Sequence, residues 1–152
     1  PPNYLTIGSK FRIRAAGAMS NIVTTPGTVT FEVKMGSIVA WTSGAVQLNA
    51  TAHTLLPFQL KVILRTDTIG SGTTAKFLGM GSLGGIMFTK TAGQTDAANT
   101  VGLFPVPATA PAVGTGFDST IANILDFWTG FSISNAGNGI QLYDYQVEQI
   151  AF

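Results

Sequence analysis

The feature that most constrains this chain is an alternation of apolar and polar residues at every second position, repeated in one strand-length run after another. Thr28–Met35 (TVTFEVKM) carries it most cleanly: Val29, Phe31, Val33 and Met35 point one way, and Thr28, Thr30, Glu32 and Lys34 the other. A period of two puts successive side chains on opposite faces of an extended backbone, so each such run predicts a strand with one buried face. Lys10–Ala16 repeats the pattern, with Phe11, Ile13 and Ala15 against Lys10, Arg12 and Arg14. Pro57–Thr66 has Phe58, Leu60, Val62 and Leu64 inward and Gln59, Lys61 and Arg65 outward. Ile63 falls on that outward side and needs cover from a partner or a loop. Ser37–Thr42, anchored by Trp41, continues the series, followed by Thr74–Met80 and Gly85–Thr89 on either side of a predicted turn at Gly81-Ser82-Leu83-Gly84. No segment has a helical period.

The last stretch, Asp118–Phe152, contains two more runs. In the first, Leu125, Phe127, Thr129 and Phe131 share a face, with Ile124, Asp126 and Trp128 on the other. In the second, Tyr143, Tyr145 and Val147 alternate with Asp144, Gln146 and Glu148. Ser134–Gly139 (SNAGNG) lies between them and supplies Asn and Gly, which tolerate the positive φ of a tight reversal. The stretch is therefore expected to close the domain as a hairpin or strand pair.

About eight strands separated by Gly, Pro, Asn and Thr turns predict an all-β fold, an antiparallel β-sandwich that is jelly-roll-like. An immunoglobulin-like sandwich fits the same spacing. The 152 residues suffice for one domain with a sizeable core. Residues 1–9 (PPNYLTIGS) read as an extended N-terminal arm that docks through Tyr4, Leu5 and Ile7, and residues 10–152 as a single β-sandwich domain. With no initiator Met and no signal-like segment, Pro1 reads as a processed or trimmed start. Asn21–Gly27 is expected to be a turn and Ser43–Leu56 a connection. Prolines at 105, 107 and 111 exclude a helix over Val101–Val113. The Lys90–Gly116 stretch around it is too long for an ordinary loop, so it is either functional or hides another short strand.

Only 10% of the residues are charged, against roughly 25% in an average globular protein, while 45% are hydrophobic. A surface so poor in charge must be covered by Thr, Ser, Asn, Gln, Gly and Ala, which suits a chain that sits among neighbours. Eight Lys and Arg oppose seven Asp and Glu, with no run of either sign, so there is no electrostatic footprint for nucleic acid or an anionic membrane. No apolar run has the length of a membrane-spanning helix. The absence of cysteine excludes a disulfide framework and a thiolate zinc site.

Catalytic constellations are equally sparse, and the expectation is a protein that is not an enzyme and needs no cofactor or metal. The single histidine, His53, sits in a Thr/Ala-rich stretch with no G-x-S-x-G elbow to serve. A glycosidase needs two carboxylates facing one cleft, and Asp126, Asp144 and Glu148 are the acids that a closing strand pair would bring nearest one another. Asp118 or Asp126 with loop carbonyls would be a calcium candidate, without EF-hand spacing. Gly79–Gly84 spells G-x-G-x-x-G but leads into a strand-like run where a dinucleotide site needs a helix. Ile69–Lys76 misses the P-loop spacing, and both glycine clusters are read as turns. Arg12 or Arg14 and Glu32 suit cross-strand ion pairing on a solvated face, the alternative being an arginine site for an anion. Trp41, Trp128, Tyr143 and Tyr145 are expected in the core, with a sugar-stacking platform as the rival reading.

Four pieces, in order, then carry a resemblance. They are Gly8–Gly17 (GSKFRIRAAG), Thr25–Gly36 (TPGTVTFEVKMG), Pro57–Gly72 (PFQLKVILRTDTIGSG) and Asp126–Glu148. This layout resembles small virion proteins of tailed bacteriophages, and it covers most of the chain; the departure is Val101–Val113. The resemblance implies a jelly-roll accessory protein located in the virion: a capsid decoration or cement protein, a head fibre, or a tail-associated domain. It further implies a homo-oligomer, a trimer being common, whose partners are capsid or other virion proteins, and neither nucleic acid nor membrane. A receptor- or carbohydrate-binding domain of a tail fibre is the second implied role.

Overall fold

The three strongest alternating runs form the three strands that carry the core. In the computed structural model, residues 1–22, 27–91, 103–107 and 114–151 are described. Among them lie β1 (Lys10–Asn21), β2 (Thr28–Met35), β3 (Ile38–Thr42), β4 (Val46–Leu48), β5 (His53–Thr68), β6 (Lys76–Gly85), β7 (Phe88–Thr91), β8 (Leu103–Val106), β9 (Leu125–Phe131) and β10 (Gly139–Ala151), and no helix. They build two antiparallel sheets packed face to face, a β-sandwich. One sheet has the order β10-β1-β5-β6-β8. In the other, β9 pairs with one edge of β2, while β3 and β4 follow one another along its opposite edge, with β7 beyond β4. Ser43 bridges β3 and β4: its N–H donates to the Phe31 carbonyl at 2.8 Å and its Oγ accepts the Phe31 N–H at 2.9 Å. The pair thus acts as one bulged strand.

Burial follows the predicted faces. Val29, Phe31, Val33 and Met35 of β2, Phe11, Ile13 and Ala15 of β1, and Phe58, Leu60, Val62 and Leu64 of β5 are all buried. Phe31 ties the layers together, its ring centroid 5.6 Å from Phe58 in the opposite sheet, 6.2 Å from Phe88 and 6.0 Å from Phe127.

Several boundaries depart from the sequence reading. Gly79–Gly85 belongs to the continuous strand β6, and the reversal comes one step later, at Ile86–Met87. The glycines there make room: a Cβ on Gly79 would lie 2.2 Å from Trp41 Cδ1 and 2.6 Å from Leu64 Cδ2. A large ring on the facing sheet therefore accounts for a glycine that looks like a turn residue. Ser43–Leu56 is not a plain connection, since it holds β4 and the start of β5. The Pro-rich loop does hide a strand, β8, which carries Pro105 at the outer edge of its sheet, where a missing N–H costs least. The rest of that loop, at 92–102 and 108–113, lies outside the described residues, as do 23–26 of the expected Asn21–Gly27 turn.

The expected closing hairpin is the main correction. β9 pairs with β2 and β10 pairs with β1, so the two strands sit at the edges of different sheets. The Asn-rich turn between them carries the chain across the sandwich. Asn138 holds it there, its Oδ1 accepting the Ile22 N–H at 3.1 Å and its Nδ2 donating to the Ile133 carbonyl at 2.8 Å.

The N-terminal arm docks on the body of its own domain. Asn3 N–H donates to the Ser119 carbonyl at 3.1 Å, Gly8 N–H to the Thr66 carbonyl at 2.8 Å, and the Tyr4 hydroxyl to Gln149.

Candidate interaction surface

The two lateral sides of the sandwich differ. On one, β6 turns directly into β7, the Trp41 ring lies over Gly79, and the chain at 114–117 lines the gap. There Gly114 N–H donates to the Phe77 carbonyl at 2.8 Å, Ala75 and Phe117 exchange backbone hydrogen bonds, and a Cβ on Gly114 would lie 2.0 Å from the Ala40 carbonyl. That side is closed. On the other, β9 and β10 face each other as edge strands, each paired along one side only among the described residues.

The inner faces of these two strands are half-covered. Phe127 of β9 stacks on Tyr145 of β10 with centroids 5.8 Å apart, and Leu125, Phe131 and Ile140 pack partly against the core. Leu142 and Val147 remain 44% exposed each. A bulge explains Tyr143. The register passes from Ala16 opposite Asp144 to Gly17 opposite Leu142, so Tyr143 is the extra residue and is turned out to 68% exposure. Gly17 is required there, because a Cβ would lie 2.0 Å from the Gln141 carbonyl. At the end of this side lies an apolar cleft of about 170 Å³, lined by Tyr4 and Leu5 of the arm with Phe11, Met35, Leu125 and Val147. The Tyr145 hydroxyl is buried without a hydrogen-bond partner, and burial, with the Asp126 carboxylate nearby, pushes its pKa up to about 12.

Of the four aromatics expected in the core, Trp41 is fully buried and Tyr145 half-buried, whereas Trp128 and Tyr143 are not core residues. Trp128 lies on the outer face of β9, opposite Glu32 of β2, and is 52% exposed; the Lys34 ammonium sits 4.0 Å from its ring centroid. The bland alternation of β9 placed Trp128 on the outer side, and that signal was available in the sequence.

The acids do not gather. Asp126 is opposite Lys34 in one sheet, whereas Asp144 and Glu148 are opposite Ala16 and Arg12 in the other. Glu148 is ion-paired to Arg12 at 3.0 Å. Glu32 pairs with Lys34 at 3.5 Å on its own strand, so the expected Arg–Glu32 contact is replaced by two pairs in separate sheets. Asp118 turns a loop: its carboxylate accepts the Gly72 N–H at 2.8 Å and both the Thr120 N–H at 2.8 Å and the Thr120 hydroxyl at 2.6 Å. The Thr120 hydroxyl first, then the two N–H groups, hold its pKa below the usual carboxylate range. His53 begins β5, opposite Asn21, with its Nε2 buried and unpartnered. Among the described residues no three His, Cys, Asp or Glu side chains are grouped to hold a metal ion. Comparison with known protein families, curated proteins and solved structures finds no match to this chain.

Proposed function

We propose that this chain is a structural virion protein, a jelly-roll-like capsid decoration, cement or head-fibre protein that acts through protein–protein contacts, including contacts between its own copies in a trimer. The observation that supports the reading is the open lateral side. A 13-residue edge strand, β10, bordered by exposed Leu142, Tyr143 and Val147, is a template for pairing that a monomer would be expected to blunt. Here two register irregularities against β1, together with Asp144 and Glu148, do so. Strand addition along such an edge supplies main-chain hydrogen bonds, and the half-covered apolar residues supply buried area.

The test is light scattering on the purified chain beside a Leu142→Arg/Val147→Arg variant, with rebinding to particles stripped of the protein. A trimer for the native chain, a monomer for the variant and loss of rebinding by the variant are expected, with the same strand content by circular dichroism and a melting temperature that depends on concentration for the native chain only. A native monomer that fails to rebind sinks the proposal. Trp128 favours a second reading, a carbohydrate-binding domain of a tail fibre, because the residue is 52% exposed on the outer face of its sheet, with Lys34 over its ring. That reading requires quenching or a shift of Trp128 fluorescence on adding receptor glycan, and Trp128→Ala must abolish it.

A further inference from the structure

The outer face of the β10-β1-β5-β6-β8 sheet holds a pair of cations with no structural use. Arg14 of β1 and Lys61 of β5 are direct cross-strand partners, both exposed, on the two most central long strands of the sheet. Like charges in that position repel, so the arrangement costs stability unless something anionic sits over it. Two neighbouring arginines are paired, Arg12 with Glu148 at 3.0 Å and Arg65 with Asp67 at 3.5 Å, whereas Arg14 and Lys61, like Lys10 opposite Arg65 at the far end of the same two strands, have no ion pair or hydrogen bond among the described residues.

Around the pair lies a cleft of about 510 Å³, within the size range of small-ligand sites. Gln59 and Ser82 line it beside the cations, Ser82 being the next partner of Lys61 on β6. Their amide and hydroxyl add neutral hydrogen-bonding groups to the guanidinium and ammonium donors. Leu103 supplies an apolar wall, and Asp144 stands in the lining without forming an ion pair to either cation.

From this geometry we infer that the cleft between Arg14 and Lys61 binds a small ligand carrying one carboxylate and several hydroxyls, an acidic sugar. The guanidinium takes the carboxylate as a charge-assisted pair and Lys61 adds a point charge. Gln59 and Ser82 take hydroxyl groups, and Asp144 limits the site to a single negative charge by repelling a second. The site lies on the opposite face of the sandwich from Trp128 and does not depend on the assembly proposal.

Titration of the isotope-labelled full chain with glucuronate, beside glucose and acetate, tests it through the amide resonances of Ala16, Gln59 and Ser82. Glucuronate produces saturable shifts, acetate binds about tenfold more weakly, and glucose produces none. Arg14→Gln and Lys61→Gln each weaken glucuronate about tenfold, the loss of one charge-assisted contact. Asp144→Asn tightens it, and Lys76→Gln, at a cation at the start of β6 with no ion pair among the described residues, leaves it unchanged. The melting temperature of both cation variants stays level or rises, because a repulsion has been removed. No saturation in the native chain, equal binding by the Arg14 and Lys61 variants, or a fall in their melting temperature overturns the site. Acetate binding as tight as glucuronate overturns its assignment to a sugar.

Discussion

At the scale of single residues, the tightest constraint is the contact between Gly79 and Trp41. Glycine inside a strand ordinarily costs about 0.5–1 kcal/mol relative to alanine, so Gly79→Ala would stabilise an open site. Here the new methyl meets the Trp41 ring and Leu64, both buried, and overpacking of this kind costs about 1–3 kcal/mol. The clash outweighs the entropy. Gly79→Ala is therefore expected to be destabilising by about 1–2 kcal/mol in urea denaturation, and a stabilised variant would contradict the packing. Tyr145 makes a second test. Its buried hydroxyl has no partner, and such a group costs roughly 1–3 kcal/mol, so Tyr145→Phe raises stability by about 1 kcal/mol. The pH dependence has a definite sign. Because the pKa rises from 10.0 to about 12 on folding, the folded chain holds its proton where the unfolded chain loses it. Stability is full below pH 10 and declines between pH 10 and about 12. Urea midpoints across that window fall more steeply for the native chain than for Tyr145→Phe.

At the scale of elements, the loop at 70–74 is pinned to 118–120 through Asp118. With its folded pKa depressed, the carboxylate's contribution is present at neutral pH and is lost as pH falls through the folded value, below the ordinary 3.8. Asp118→Asn keeps one acceptor oxygen and loses the charge, so faster amide exchange at Gly72 and Thr120 is expected at pH 7, with exchange in β1 and β5 unchanged. Unaltered exchange at both amides would show that the clasp does not hold the loop. Elements also mark where the sequence was legible. The periods of β1, β2 and β5 were read correctly because both sheets bury one face of each, which leaves a strict alternation behind. The glycine-rich end of β6 reads from the sequence as a turn at Gly81–Gly84, because glycines in this strand answer to Trp41, Leu64 and the Lys61 carbonyl on other strands, which local sequence does not encode.

At the scale of the whole molecule, stability rests on the aromatic contacts that span the two sheets. Phe31 is central to the core, meeting Phe58 across the sheets and Phe88 and Phe127 within its own sheet. Truncating a buried Phe of this kind costs about 3–5 kcal/mol, against a total of about 5–15 for a domain. Phe31→Ala is expected to lower the denaturation midpoint by a large part of its native value, while Phe131→Ala, at the half-covered open side, costs less. Equal losses at the two positions would contradict the asymmetry between the closed and open sides.

The sequence by itself determined the all-β class, the inward faces of the main strands and the poverty of charge, since these follow from a period of two and from composition. Tertiary structure alone decided which strands became neighbours. The alternation of Tyr143, Tyr145 and Val147 reads the same whether a sheet covers that face or leaves it open, because a pattern records which side chains are apolar and not what lies against them. Pairing β9 with β2 and β10 with β1 converted an expected closing hairpin into two free edges. The pairing of β1 with β5 likewise brought Arg14 beside Lys61, 47 residues later in the chain, a contact that no local spacing contains.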